Sequence, residues 1–395
     1  MSALFSHQVY FDHNSTTALK TEVLEAMLPF MTNQHGNPTS RHSFGRTARA
    51  AVEHAREQVA AAVGAYATQI VFTASGTEAN NFAVHGICSN LDKGQILTSA
   101  IEHPCVSRPA LAMQAQGWKA KSIKVDADCN INMQHLQNLL QTPTNLVSVM
   151  LANNETGAIQ DIAKVAELAR EHKAYVHTDA VQALGKMPVD FFALNVHAMT
   201  ISSHKIGGPL GAGALVLDKR IDIQPLLYGG GQEKGLRSGT ENVAAIVGFG
   251  AACELAVSHL TAFDMHTENL RKHLETGLKK LNAAISGVGA DATIFGQSDL
   301  RIPNTSFFAF RNLDGETLVT ALDKAGFAVA SGSACSSDSD KPSHVLLAMG
   351  VDEDLARGAV RVSFGMSNSL EQVQHFLVAL ENELKRLKNL TAIAA

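Results

Sequence analysis

Ala198-Met-Thr-Ile-Ser-Ser-His-Lys-Ile-Gly-Gly-Pro-Leu-Gly-Ala-Gly213 is the stretch from which the rest of this chain can be read. A short apolar run ends in two hydroxyls, a histidine and a lysine, then breaks into a glycine-rich turn before a second apolar run, Ala214 to Leu217. Lys205 is thereby placed at a strand end. An amine there can reach a cavity at the sheet edge, and with its charge suppressed by burial it can condense with an aldehyde. A lone lysine so placed is more often a solvated hairpin residue, so the assignment needs support from elsewhere in the chain.

Two other stretches supply it. Ala174-Tyr-Val-His-Thr-Asp179 is an apolar strand that stops on a carboxylate, and Ser75-Gly-Thr-Glu78 follows the strand Gln69 to Thr73 and opens a helical pattern. Pyridoxal phosphate calls for these three kinds of group. It needs a lysine for its aldehyde, a carboxylate to keep its ring nitrogen protonated, and amides at a helix start for its phosphate.

Between these points short apolar strands alternate with helical patterns. The strands are Ile70 to Thr73, Ile96 to Ser99, Ala120 to Val125, Leu146 to Leu151, Tyr175 to Asp179, Met199 to Ser202 and Ala214 to Leu217. Helices fit over Thr47 to Val63, Glu78 to Leu91, Pro104 to Gln116 and Ile162 to His172. This alternation predicts an α/β fold, a mostly parallel seven-stranded sheet with helices on both faces and ligands at the carboxyl ends of its strands. After about Gly248 a long interrupted helix runs to Ile285. Short strands near Asn304 to Phe310, Phe327 to Ala330 and Ala359 to Ser363 follow, with helices over Gly315 to Lys324, Pro342 to Met349 and Leu370 to Leu387, which predicts a smaller α+β domain. The expected division is residues 1–20 as a segment associated with the small domain, 21–255 as the large domain and 256–395 as the small one.

Composition narrows the function classes. With 395 residues, 46% of them apolar, the chain can bury two cores. A net charge of −5, with 32 basic and 37 acidic residues and no basic run, points away from nucleic acid and membrane surfaces. No apolar stretch reaches spanning length and the first residues lack a secretion signal, so a cytoplasmic enzyme is expected. Cys88, Cys105, Cys129, Cys253 and Cys335 are odd in number and contain no C-x-x-C pair, which argues against a disulfide framework and a zinc site. Four of them sit among apolar or helix-like neighbours. Cys335, in Ser331-Gly-Ser-Ala-Cys335-Ser-Ser-Asp-Ser-Asp-Lys341, has nothing nearby to bury it and reads as an exposed loop thiol.

Several polar clusters allow two readings. Asp12-His-Asn14-Ser-Thr-Thr17 is a turn or part of a ligand site, and His103, before Pro104, is a helix cap or a site residue. Asn153-Asn-Glu-Thr-Gly157 is a tight turn or a set of contacts at a strand end. The glycine-rich run Gly229 to Thr240 is a linker or an anion-binding loop.

Taken together, Ser75-Gly-Thr-Glu78, Glu102-His103, Asn153 to Gly157, His177-Thr-Asp179-Ala-Val-Gln182, Ser203-His-Lys205, Arg237-Ser-Gly-Thr240 and Ser331 to Cys335 resemble the cysteine desulfurases of the NifS/IscS type, within the class V aminotransferases of PLP fold type I. The resemblance spans about Val9 to Leu387. It implies that Lys205 binds pyridoxal 5'-phosphate covalently, Asp179 pairs with the ring nitrogen, Gln182 bonds the ring hydroxyl, and His103 stacks on the ring and moves protons. The phosphate would be held by Ser75, Gly76 and Thr77, by Ser202 and His204, and by Thr240 from the other subunit of a homodimer. Asn154, Arg361 and Asn14 would meet the substrate, L-cysteine, and Cys335 would be the nucleophile that takes its sulfur.

The loop after Cys335 has the length of the IscS-like group. The last residues, Leu387 to Ala395, lack the aromatic and acidic tail with which some relatives dock an iron–sulfur scaffold protein, so scaffold proteins, transfer-RNA thiolation enzymes and nitrogenase-specific partners all stay open as sulfur acceptors. The rival readings are a selenocysteine lyase, another class V aminotransferase or lyase in which Cys335 is incidental, and a sulfur carrier that has kept only the fold.

Overall fold

The computed structural model describes residues 8–284, 292–297, 300–332 and 341–394. Its strands in chain order begin with β1 (Val9–Tyr10), β2 (Ile70–Thr73), β3 (Gln95–Ser99), β4 (Lys119–Ile123), β5 (Thr144–Ser148), β6 (Tyr175–Asp179), β7 (Ala198–Ser202) and β8 (Gly213–Leu217). They continue with β9 (Ala292–Phe295), β10 (Thr305–Phe310), β11 (Phe327–Ala328), β12 (Ala330–Ser331) and β13 (Ala359–Ser363). β2 to β8 form one seven-stranded sheet in the order β2-β8-β7-β6-β5-β3-β4. All its neighbours are parallel except at β8, which runs antiparallel to β2 and β7.

Both faces of this sheet are buried because its strands put apolar residues on each side in turn. On β2, Ile70 and Phe72 join the core formed with Val52, Val59 and Phe249, while Val71 joins Ala79, Phe82 and Ala83 on the opposite face. β8 repeats the pattern, with Ala214 and Val216 on the first face and Leu215 and Leu217 on the second. Helices Ser43–Ala62, Ile162–Glu171 and Val243–Ser258 cover one side, and Gly76–Cys88 and Pro104–Ala112 the other.

The expected apolar run from Leu146 to Leu151 ends as a strand at Ser148, although the N–H groups of Val149 and Leu151 still bond the carbonyls of His177 and Asp179. The interruption expected in the long helical stretch after Gly248 falls at His259, between two helices, Val243–Ser258 and Leu260–Ala284, bent by 69°. The bend has a packing cause. The first helix lies on the large sheet through Phe249 and Cys253, whereas the second turns away to put Leu270, Leu274 and Leu278 into another core.

That other core backs a four-stranded antiparallel sheet of order β12-β13-β10-β9. Phe11 is part of it, ringed by Phe327, Phe364 and Phe376 with centroids 5.1 to 6.1 Å away. β1 pairs in parallel with β11, and the N–H of Ser363 donates to the Phe11 carbonyl at 2.7 Å. The segment that opens with β1 is thus sewn to both β11 and β13.

β2 is an edge strand, and side chains take the place of a further strand beside it. Arg56 Nη1 donates to the Ile70 carbonyl at 3.0 Å, and the Phe72 N–H donates to Glu233 Oε2 at 2.8 Å. The two side chains also pair with each other through bonds of 2.8 and 2.7 Å, both buried, and the guanidinium lies 4.7 Å from the Phe72 ring centre. Backbone groups left open at an edge invite pairing with another chain, and here the ion pair occupies them. Among the described residues, no single helix is long and apolar enough to cross a membrane.

His177 in β6 makes the fold acid-sensitive. Its ring is fully buried between Ser148 Oγ at 2.8 Å and Thr200 Oγ1 at 3.0 Å, and burial pushes its pKa from 6.5 to about 3. The folded value is depressed, so the neutral imidazole contributes stability that is complete above the unfolded pKa and is lost as pH falls toward 3. Urea titrations should show wild type losing ~2 kcal/mol more between pH 7 and pH 5 than a His177→Asn variant. Equal losses in the two proteins would assign the acid sensitivity elsewhere.

Candidate active site

A cavity of about 370 Å³ opens at the carboxyl ends of β2, β6 and β7, where the large sheet meets the N-terminal segment and β13. Its lining includes Asn14, Ser75, Gly76, Thr77, His103, Asn154, Asp179, Gln182, Ser202, His204, Lys205 and Arg361. The structure therefore brings together twelve of the fourteen residues singled out from sequence. Thr240 is exposed and does not line the cavity of its own chain. Cys335 lies outside the described residues.

Lys205 closes a short 3-10 turn, Ser203–Lys205, directly after β7. Gly207, two residues on, has φ of +83°, a backbone state that suits glycine and lets the chain reverse into β8. Lys205 Nζ donates to the carbonyls of Asn14 and Ser15, each at 2.6 Å. Asp179 ends β6 with its carboxylate buried, accepting from Asn80 Nδ2 at 2.7 Å and the Val181 N–H at 2.9 Å. Burial pushes its pKa up, opposed by the Val181 N–H, His103, Asn80 and Lys205.

The helix Gly76–Cys88 points its N-terminus into the cavity. Ser75 caps it, accepting from the Glu78 N–H at 3.1 Å, and Glu78 in turn accepts from the Ala74 N–H at 2.8 Å. The first N–H groups, on Gly76 and Thr77, have no intrahelical acceptor. Close packing fixes the position: a Cβ on Gly213, at the start of β8, would stand 2.6 Å from the Ser75 carbonyl carbon. Beside this helix end, Ser202 Oγ is buried without a partner among the described residues. His204 bonds Thr16 Oγ1 at 3.1 Å, and burial followed by Lys205 lowers its pKa to about 4, leaving it neutral at pH 7. Arg237 reaches back to Glu78 at 2.8 Å and so ties the glycine-rich run before Thr240 to the same helix end.

The opposite wall is built from both ends of the chain. Arg361 on β13 is buried, its guanidinium donating to Asp12 Oδ1 at 2.7 Å, Ser15 Oγ at 2.8 Å and the Asn154 carbonyl at 3.0 Å. The Arg361 Nε has no partner among the described residues. The Asn14 side chain is engaged on every side, donating to Thr305 Oγ1 and the Asn154 carbonyl and accepting from Lys186 Nζ and Asn304 Nδ2. Asn14 thus acts as a hub of the wall.

Sequence reasoning passed over Lys186, Asn80 and Cys105. Lys186 is buried, donating to Asn14 Oδ1 at 2.7 Å and to Gln182 Oε1 at 2.5 Å. Burial, with Lys205 and Arg361 nearby, holds its pKa well below the usual lysine range. By occupying Gln182 Oε1, it leaves the amide nitrogen of Gln182 as the donor, now bonded to the Asn14 carbonyl at 2.9 Å. The available signals were a lysine four residues beyond Gln182 in an otherwise apolar run, and an asparagine on the buried face of helix Gly76–Cys88. A second cavity of about 480 Å³ shares Lys205 and is also lined by Lys186, but contains neither Asp179 nor the helix end, so Lys205, Asp179 and that helix end meet in the smaller one.

The family model described as Aminotransferase class-V matches residues 9–376. The cysteine desulfurase IscS of Dictyoglomus turgidum is 40% identical over 386 residues, covering 97% of this chain and 96% of that protein. The one from Methanosarcina thermophila is 39% identical over 387 residues, covering 98% and 94%. Among solved structures, a NifS-like protein superposes with a TM-score of 0.89 at 37% identity, covering 96% of this chain and 99% of the other. SspA in complex with cysteine superposes at 0.76 with 30% identity, covering 90% and 98%. With a match of this extent lying over a parallel sheet whose strand ends converge on Lys205, the chain belongs to the aminotransferase class-V family.

Proposed function

We propose that the protein is a cysteine desulfurase that works with pyridoxal phosphate, converting L-cysteine to L-alanine and holding the sulfur as a persulfide on Cys335 for an acceptor protein. The observation that carries this reading is the meeting of Lys205, Asp179 and the N-terminus of helix Gly76–Cys88 in one cavity.

The residues fit the cofactor. Free N–H groups at the helix start, with the unpartnered Ser202 hydroxyl beside them, suit a phosphate, and the buried Asp179 carboxylate suits a protonated ring nitrogen. Lys205 would hold the aldehyde, Gln182 the ring hydroxyl, His103 the ring face, and Ser75, Gly76, Thr77, Ser202 and His204 the phosphate. When bound, the cofactor supplies an electron-withdrawing ring that loosens the bonds of an attached amino acid.

The protein's own part is positioning and proton handling. Arg361, already fixed by Asp12 and Ser15, would receive the substrate carboxylate together with Asn154, at little further cost in ordering. Lys205 and His103 would carry protons to and from the substrate carbons. The Cys335 thiolate attacks the substrate sulfur, the carbon–sulfur bond breaks with its electron pair going to carbon, and a proton completes alanine. One cysteine and one enzyme thiol thus become one alanine and one enzyme persulfide. Thr240, exposed on its own chain, would reach the phosphate of a second copy in a cytoplasmic homodimer. The same reading keeps the division into residues 1–20, 21–255 and 256–395, with the cysteine loop on the small domain. The acceptor would be an iron–sulfur scaffold or a transfer-RNA thiolation protein.

Incubation with isotopically labelled L-cysteine followed by peptide mass spectrometry should find one extra sulfur on Cys335, and Cys335→Ser should release no sulfur while keeping the coloured cofactor. Full sulfur release by that variant, or alanine formed with no sulfur at position 335, would overturn the proposal. Turnover of selenocysteine well above that of cysteine would replace it with a selenocysteine lyase.

A further inference from the structure

The N-cap of helix Pro104–Ala112 holds an array that the roles above leave unused. Asn80 Nδ2 donates to Asp179 Oδ2 at 2.7 Å and to Cys105 Sγ at 3.0 Å. Cys105 Sγ lies 2.8 Å from His103 Nδ1, and the Cys105 backbone N–H donates to that same nitrogen at 3.2 Å. Hydrogen-bond chemistry fixes the direction of each contact. A carboxylate accepts, so the Asn80 amide presents its nitrogen; a backbone N–H donates, so Nδ1 carries no proton. With Sγ already accepting from Asn80, the thiol hydrogen is left to point at Nδ1. Burial pushes the Cys105 thiol far above its ordinary pKa, and Asp179 adds to the effect, so the hydrogen stays on sulfur.

We propose that Cys105 is a positioning residue whose S–H, together with its own backbone N–H, pins His103 in the tautomer protonated on Nε2 and confines proton exchange at His103 to that atom. The functional half of this inference rests on the proton-transfer role proposed for His103; the tautomer does not. Placing a proton on Nδ1 would set it against the Cys105 backbone N–H and force the thiol hydrogen to turn away, replacing two bonds to Nδ1 with one facing donor and a weak bond to sulfur, so Cys105 disfavours the imidazolium. It acts among other groups facing the ring. Asp179 favours the charged form, while Lys205, His344 from the helix His344–Ala348 and Arg108 on the same helix oppose it, and burial weighs most heavily against it. Through Asn80, the same sulfur also links His103 to Asp179, so the residues proposed for the ring face and the ring nitrogen are held by one chain of hydrogen bonds.

The test uses the full chain loaded with pyridoxal phosphate and labelled with ¹⁵N in its histidines, with His103 signals identified by their loss in His103→Gln. Wild type should show Nδ1 bare and Nε2 protonated at neutral pH. Cys105→Ala should raise the midpoint of the His103 titration by about half a pH unit, roughly a threefold gain in proton affinity. Cys105→Ser, which restores a donor, should stay close to wild type, and the acid limb of the rate profile should move with the midpoint. A proton on Nδ1 in wild type, or an unchanged midpoint in Cys105→Ala, would overturn the proposal. Should the alanine variant fail to fold, a serine variant with Nδ1 protonated would do the same. The spectra are read whether or not sulfur is released, so failure of the desulfurase reading and failure of this one are separate outcomes.

Discussion

A Lys205→Ala variant should bind pyridoxal phosphate without covalent attachment and release sulfur at least about 10³-fold more slowly than wild type, because anchoring and proton transfer are lost together. The fold should survive. Removing the amine leaves the Asn14 carbonyl still bonded by Gln182 Nε2 and exposes only the Ser15 carbonyl to the cavity. The informative feature is the second buried lysine. Lys186 bonds the same Asn14, but its amine is committed to Asn14 Oδ1 and Gln182 Oε1 and it lines the neighbouring cavity rather than the one that holds Asp179, so it should not substitute. Borohydride reduction in the presence of the cofactor should mark Lys205 in wild type and no lysine in the variant. Labelling of Lys186 in either protein would show that the cavity does not select between the two amines as described.

The largest effect on stability is expected at the edge of the large sheet. Arg56→Ala should cost ~3–5 kcal/mol, since it strands the Glu233 carboxylate in a buried site and uncovers the Ile70 carbonyl. Glu233→Ala should cost less, because Arg56 keeps the Ile70 carbonyl and Glu53 as acceptors, at 3.0 and 3.2 Å. The double variant should fall well short of the sum of the two, as the penalty in each single variant comes from leaving one charge unpaired. Glu233 also has φ of +47° and Lys234 of +60°, so without the ion pair this segment would lose the contact that holds it in a left-handed conformation. Urea unfolding of the four proteins measures the cycle, and a loss below about 1 kcal/mol in Arg56→Ala would show the pair to be ornamental. Because the run from Gly229 leads on to Arg237 and Thr240, the same variants should weaken cofactor retention.

The parts of this molecule that could be read from sequence are those dictated by local chemistry. Strands such as Tyr175–Asp179 stood out because apolar runs of strand length end abruptly on polar residues, and the site followed because strand ends are where a parallel sheet leaves room. The partnership of Arg56 with Glu233 had no local trace, since 177 positions separate them and each looks like an ordinary surface charge. Lys186 and Asn80 were hidden for another reason: their neighbours suggest burial, and only the assembled wall shows that burial comes with polar partners. Cys105 was read as one of four unremarkable thiols because nothing in Ile101-Glu-His-Pro-Cys105 shows that the chain folds its sulfur back onto the histidine two residues earlier.

Asn14 draws on Thr305 Oγ1 and Ser363 Oγ, hundreds of positions later in the chain. During synthesis, the amine of Lys205 leaves the ribosome on the order of ten seconds before residue 363 does. Through that interval the nascent pocket lacks the wall that aims its lysine, so capture of the aldehyde should begin only as translation finishes, and ribosome-bound chains stalled short of Ser363 should remain colourless.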